Sequence, residues 1–221
     1  QFFIGHSSWL ASAAGGLIGA VLLWDLLFRS QIGFSMCFLE EMWSRNLGHL
    51  FVSPLRPHEF IISMMVVSCL RGFFGLLPSW ILAFVFFEFS ILSYGLGIVA
   101  FFSCLMVMGW ALGMIVIALV LRFGLGAESL AWVAIFAFAP ISAVYYPVET
   151  LPAWLQIVAW CTPSAYVFEG MRSVLIDNTF RYDLLLGAIL VNIAYLFAGV
   201  FVFSFSFLGA RKQGKLLQTG E

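Results

Sequence analysis

The chain has 221 residues, 63% hydrophobic and 10% charged, whereas soluble domains carry about 25% charged residues; a water-soluble fold of this size could not hide so much apolar surface. The net charge of −1 leaves no basic field for nucleic acid. Lipid is therefore the main solvent, and the expected fold is an all-α polytopic membrane protein, because an open sheet cannot satisfy its backbone in hydrocarbon.

A spanning helix needs roughly 20 mostly apolar residues, and in chain order five segments qualify. The first covers about 9–39: Trp9 to Phe28, then a less apolar stretch to Leu39. The chain starts at Gln1 without a basic n-region, which argues against an intact signal peptide. Asp25 and Arg29 are spaced i, i+4 within this span, so they face one side and can pair. Next comes "LEEMWSRNLGHLFVSPLRPHEF", Leu39 to Phe60, where Trp43, Leu47, Leu50 and Phe51 recur as one apolar stripe. A short amphipathic helix over about 41–53 is expected, stopped by Pro54, with Pro57 and Glu59 suiting the first turn of the next helix. Periodicity alone leaves two readings of it, a helix on the cytoplasmic leaflet or a docking helix for a cytosolic partner.

The second span covers 60–87 and places Arg71 about three turns deep, roughly 16 Å along the axis. Charge at that depth needs a partner or a water-filled cavity; it either fixes helix register as a buried pair or lines a polar route. Asp25 could pair with Arg29 or with Arg71. The third span covers 92–121 and the fourth 130–146, with Pro78 and Pro140 expected to kink their helices. Gly15 and Gly19, like Gly109 and Gly113, permit close helix approach within a subunit or at a dimer seam. Pro147 to Leu175 is too polar and too broken to span; pieces within 151–175 carry Trp154, Trp160 and Tyr166, ring types that favour the interface. Glu169 and Arg172 are spaced i, i+3 and can pair on a helix. The fifth span covers 184–207.

Arg45, Arg56, Arg122, Arg211, Lys212 and Lys215 fall on one side of this five-span arrangement. Positive-inside bias then puts the C-terminus in the cytoplasm and residues 1–8 outside. "GARKQGKL", Gly209 to Leu216, fits the start of a phosphate-cradling loop. Leu216 stands where a Ser or Thr must reach Mg²⁺, and no strand precedes the stretch, so its cations read as a membrane anchor. His49, His58 and Glu59 match no zinc spacing. No catalytic or metal-binding set is expected. The four cysteines show no CxxC spacing, and those inside apolar runs read as small hydrophobes.

The stretch from Leu39 to Phe60 resembles the first cytoplasmic loop of the type-2 family of ATP-binding-cassette exporter permeases. There a glutamate-rich helix end runs into a short helix and a "TPLRP"-like turn, here "SPLRP". "PVETLPAWLQIVAWCTPSAYVFEGMRSVL", Pro147 to Leu175, resembles the family's segment after its penultimate span. The resemblance implies six spans per subunit, so either the family's first span is missing from this sequence, the simpler reading, or the protein has five spans. It implies a pore of two copies, or of this chain with a related permease, driven by cytosolic ATPases that bind ATP and Mg. No cofactor is expected in this chain itself. The helix at 41–53 would be the coupling helix, with Glu41, Arg45, Asn46, Leu50, Phe51 and Arg56 carried over as contacts beside Trp43 and Leu47. The outer pieces would be re-entrant helices gating the pore, with Trp154, Tyr166, Glu169 and Arg172, while Asp25, Arg29 and Arg71 would line the route. The resulting reading is a transport subunit rather than an enzyme, in the plasma membrane of the bacterial inner-membrane type. It would export an amphipathic or lipid-linked cargo such as a glycan-lipid, a lipid or a hydrophobic drug. The alternative is an intramembrane enzyme or a passive channel without an ATPase.

Overall fold

The computed structural model describes residues 8–53, 56–87, 96–177 and 179–213. Their elements are α1 (Ser8–Trp43), α2 (Leu47–Val52), α3 (Pro57–Phe87), α4 (Leu96–Phe123), α5 (Leu130–Phe138), α6 (Ala153–Trp160), α7 (Pro163–Asp177) and α8 (Tyr182–Gln213). Short 3₁₀ turns lie at Leu125–Ala127 and Val148–Thr150. No strand occurs among the described residues, as the hydrocarbon argument requires. The protein is an all-α polytopic membrane protein.

Among the described residues four helices are long and apolar enough to cross a membrane by length and composition, over Leu17–Trp43, Pro57–Phe86, Gly97–Phe123 and Tyr182–Lys212. Where a further span was expected over 130–146, regular helix covers only Leu130–Phe138. Its nine residues are roughly 13 Å of helix, under half the hydrocarbon core. Turns carry the chain on, with the Ser142 N–H donating to the Phe138 carbonyl. Pro140 supplies no N–H, and Ala143 takes a positive φ of 56° before the backbone leaves the helical path. By contrast α3 runs through Pro78 as one helix.

Helix α4 is the centre of the bundle: 67% of its most apolar stretch is buried, against 28% for α3 and 17% for α8. It packs on α1 and α8, while α1 also carries α3 and α7. Close approach of α4 to α1 rests on two glycines. A Cβ at Gly109 would lie 2.6 Å from Ser30 Cβ, and one at Gly113 would lie 2.9 Å from the Phe34 ring and 3.3 Å from the Gln31 carbonyl. The Gly109–Gly113 stripe thus serves packing within the subunit. Polar groups staple the same level. Ser30 Oγ donates to the Met106 carbonyl at 2.8 Å, Ser68 Oγ to the Ser30 carbonyl at 3.0 Å, and Trp110 Nε1 to Ser68 Oγ at 3.3 Å. Below this level one core gathers Phe34, Phe38, Phe60, Met114, Phe203 and Phe207. Above it a second gathers Leu23, Leu27, Phe101, Leu105, Met108 and Phe168.

Candidate functional site

The polar residues singled out from the sequence fall into three separate places: the α1–α2 turn, the middle of α1 and α3, and the loop held by α7.

At the first place the expected helix over 41–53 is two elements. Helix α1 runs on to Trp43, so Glu41 and Trp43 belong to its last turn. It ends where the Asn46 N–H donates to the Glu41 carbonyl at 3.0 Å and the Arg45 N–H to the Met42 carbonyl at 3.1 Å. Arg45 sits between them in the left-handed region at φ 56°. These two bonds and that residue form a Schellman stop, with arginine where glycine is usual. Asn46 Nδ2 fixes the turn by donating to Glu41 Oε2 at 2.6 Å. Trp43 is thereby removed from the stripe expected on α2, and its Nε1 donates instead to Glu128 Oε2 at 3.1 Å, just before α5. Leu47, expected to face a partner, is 2% exposed in the chain's own core, and Leu50 packs half-buried against that core. Arg45 and His49 are exposed, while the Phe51 side chain lies outside the described residues. Arg56 is also exposed, and its N–H donates to Glu59 Oε2 at 2.8 Å. With Pro57 at the first helical position, this is the carboxylate half of a capping box that starts α3.

In the middle of the bundle Arg29 Nε donates to Asp25 Oδ2 at 2.8 Å, the i, i+4 pair expected. The Arg29 guanidinium lies over Gly75, where a Cβ would come within 2.6 Å of Nη1. Arg71 does not turn to Asp25. Its two terminal nitrogens grip the Glu40 carboxylate at 2.8 and 2.6 Å, a bidentate pair with both side chains nearly half exposed. Helical side chains lean toward their own N-terminus. In the antiparallel α1 and α3 that lean carries Glu40 and Arg71 toward each other. Glu40 was the functional-looking group the sequence reading passed over. Its signal was there, a carboxylate at the end of one span and a lone arginine inside the next, once the lean is applied.

At the third place α7 supplies Glu169 and Arg172, paired at 2.8 Å. Each also binds backbone. Glu169 Oε1 accepts the Val148 N–H at 2.7 Å. Arg172 Nη2 donates to the Ala143 carbonyl and, at 2.7 Å, to the Tyr146 carbonyl. One ion pair thus holds the whole loop that follows α5, and Ala143 and Val148 are buried beneath it. Tyr166 stacks edge-on with Trp160 at 4.9 Å and lies over Gly187, where a Cβ would meet the ring at 2.5 Å. Trp154 points away from the bundle, 67% exposed. Beyond α7 the Asp183 carboxylate holds the Arg181 guanidinium above its ordinary value by a direct hydrogen bond.

The three places share no reacting centre. No group of three or more His, Cys, Asp and Glu side chains suited to a metal occurs among the described residues. The arrangement holds helix ends and places paired charges within the spans. It defines a polytopic helical membrane protein whose ion pairs tie spans to one another and to the loops at their ends. Residues 2–176 match the ABC-2 type transporter family. The chain belongs to that family and is the transmembrane subunit of an ABC transporter, a type-2 permease. A comparison with curated proteins finds no match.

Proposed function

We propose that two such subunits, identical or related, form an export pathway for an amphipathic or lipid-linked molecule, powered by separate cytosolic ATPase subunits that bind ATP and Mg. The observation that carries this reading is the α1–α2 turn. A long span ends in a fixed Schellman stop that presents exposed Arg45 and His49 beside the short α2. Because Leu47 is used internally, α2 is anchored to the bundle and can pass a push directly into α1. Docking then falls to the outward groups, Arg45, His49 and Arg56 among them, with the exposed edge of Leu50 beside them. Asp25–Arg29 and Arg71–Glu40 would line the route, and the α6–α7 segment with Trp154, Tyr166, Glu169 and Arg172 would form the outer gate. In this reading the membrane is the bacterial inner membrane, with the C-terminus in the cytoplasm.

The test is co-purification of the ATPase with the permease, together with cargo-stimulated ATP hydrolysis, for wild type and Arg45→Glu. Charge reversal at an exposed docking residue should weaken association in a salt-dependent way, with the permease still in the membrane. Normal ATPase binding and normal stimulation by the variant would remove the α1–α2 turn as the docking site.

A further inference from the structure

A cavity of about 290 Å³ lies between α1, α3 and α4, walled by Leu26, Cys69, Phe73, Leu76, Phe102 and Met106 among others. It has an open side, where Cys69 and Phe73 are exposed. Leu26 is nine residues from the nearer end of the span Leu17–Trp43, and Leu76 ten from the nearer end of Pro57–Phe86. That is roughly 13–15 Å of helix, while Val99, also in the lining, is two residues from the end of Gly97–Phe123, so the cavity runs from near one end of the spans down into the hydrocarbon region. We propose that this cavity is a binding site for one acyl chain of a bilayer phospholipid.

The occupant follows from what the walls can accept. A buried water needs about two to four polar partners, and no lining side chain carries a charge. An empty space of this size forfeits the contacts that hold a packed interior together. At this depth the surrounding solvent is acyl chain, and exposed Cys69 and Phe73 leave the cavity open at its side rather than sealed within the chain. The volume is also at the lower edge of small-ligand pockets, about 300 Å³, enough for a length of one chain, and the apolar walls offer a charged headgroup no partner. The fold leaves the gap for a reason: α3 packs along α1, and the cavity occupies the space between α3 and α4. A chain seated there completes the packing of α3, the helix that directly follows α2. Occupancy would therefore set how far α3 can move when α2 is displaced. The site itself needs only a membrane-embedded protein and stands apart from the exporter reading.

The experiment is native mass spectrometry of the permease purified in mild detergent, with the retained lipid identified by fragmentation. Wild type should keep one phospholipid per subunit through detergent washing. Cys69→Trp, which fills the cavity from its open side, should lose it while unfolding at the same temperature as wild type or higher. Leu76→Phe, two turns along the same face of α3, narrows the cavity deeper in and should give the same loss. Three outcomes overturn the proposal: wild type that retains no lipid, folded variants that retain it unchanged, or a retained molecule that is the transported cargo or detergent alone. None of these readouts involves ATP hydrolysis, so failure of the site and failure of the export reading are separable.

Discussion

Arg172→Gln should loosen the loop after α5 far more than a single contact would suggest. The guanidinium is paired with Glu169 at 2.8 Å and also donates to the carbonyls of Ala143 and Tyr146. Glutamine cannot reach both carbonyls, and Glu169 is left without its counter-charge. Breaking a buried ion pair from one side costs about 3–5 kcal/mol. Both side chains are about a fifth exposed, at 21% and 20%, so we take the lower end, about 3 kcal/mol, which is roughly a hundredfold in an opening equilibrium. Glu169→Gln should cost less, because the amide oxygen can still accept the Val148 N–H. Arg172→Lys should fall between, since an ammonium cannot reproduce the planar fork. The assay is hydrogen exchange by mass spectrometry on peptides covering 143–150, with a peptide from α4 as reference. Exchange there should rise roughly a hundredfold in Arg172→Gln, with α4 unchanged. A rise of less than about twofold would show that the clamp does not hold the loop, and its use as an outer gate would fall with it.

Further expectations follow from the same geometry. Gly109→Ala should destabilise the detergent-solubilised protein by about 1–3 kcal/mol through overpacking against Ser30. Gly72→Ala, which meets nothing within 4 Å, should gain up to about 1 kcal/mol of helix propensity; equal thermal shifts for the two would refute the close-approach argument. Glu40→Arg and Arg71→Glu should each lower the amount of assembled permease, and the double swap should recover it, unless the two side chains do not pair. Asp25→Asn should reduce transport more than assembly if Asp25–Arg29 lines the route; intact transport with less assembled protein would make the pair purely structural. Cys161, exposed beside α6, should react with an impermeant maleimide from outside, and a cysteine at position 213 only from inside; reversed labelling would invert the topology.

What the sequence disclosed follows from which forces act locally. Long apolar runs and scarce charge announced the helices, because hydrocarbon leaves the backbone no other choice. The Asp25–Arg29 and Glu169–Arg172 pairs were legible because both partners sit on one helix, where spacing alone sets direction. The Arg71–Glu40 pair was less so: the two charges and the lean of helical side chains hint at it, but the pairing depends on the register between α1 and α3. The break at residues 44–46 was hidden for a different reason. A left-handed stop is usually signalled by glycine, and here arginine takes that conformation, so the Trp43 stripe read as continuous. Leu47 shows the limit of periodicity: a stripe reveals that a face is buried, but not whether the chain's own core or another protein buries it. In α5 the apolar pattern continues past Phe138, and the turns at Pro140 and Ala143 end the regular helix before the hydrophobicity does.

The two ends of α5 are held unequally, and this bears on the order of events in the proposed mechanism. Just before α5, Glu128 is tied to α1 by the bond from Trp43 Nε1. Just after it, Ala143 and Tyr146 are tied to α7 through Arg172. The inner bond joins two exposed side chains, and such a hydrogen bond contributes net only about 1 kcal/mol. The outer clamp joins an ion pair to hydrogen bonds with the Val148 N–H and the Ala143 and Tyr146 carbonyls, so several contacts must break together to open it. Helix α1 has 36 residues, roughly 54 Å of continuous rod, and it packs on α7 as well as on α4. A push on α2 that shifts the inner end of α1 would therefore part Trp43 from Glu128 first. The loop after α5 would stay closed until α1 had carried the displacement to α7. Inner rearrangement before outer release is the sequence an alternating pathway needs, and here it follows from the relative strength of two contacts on either side of one nine-residue helix.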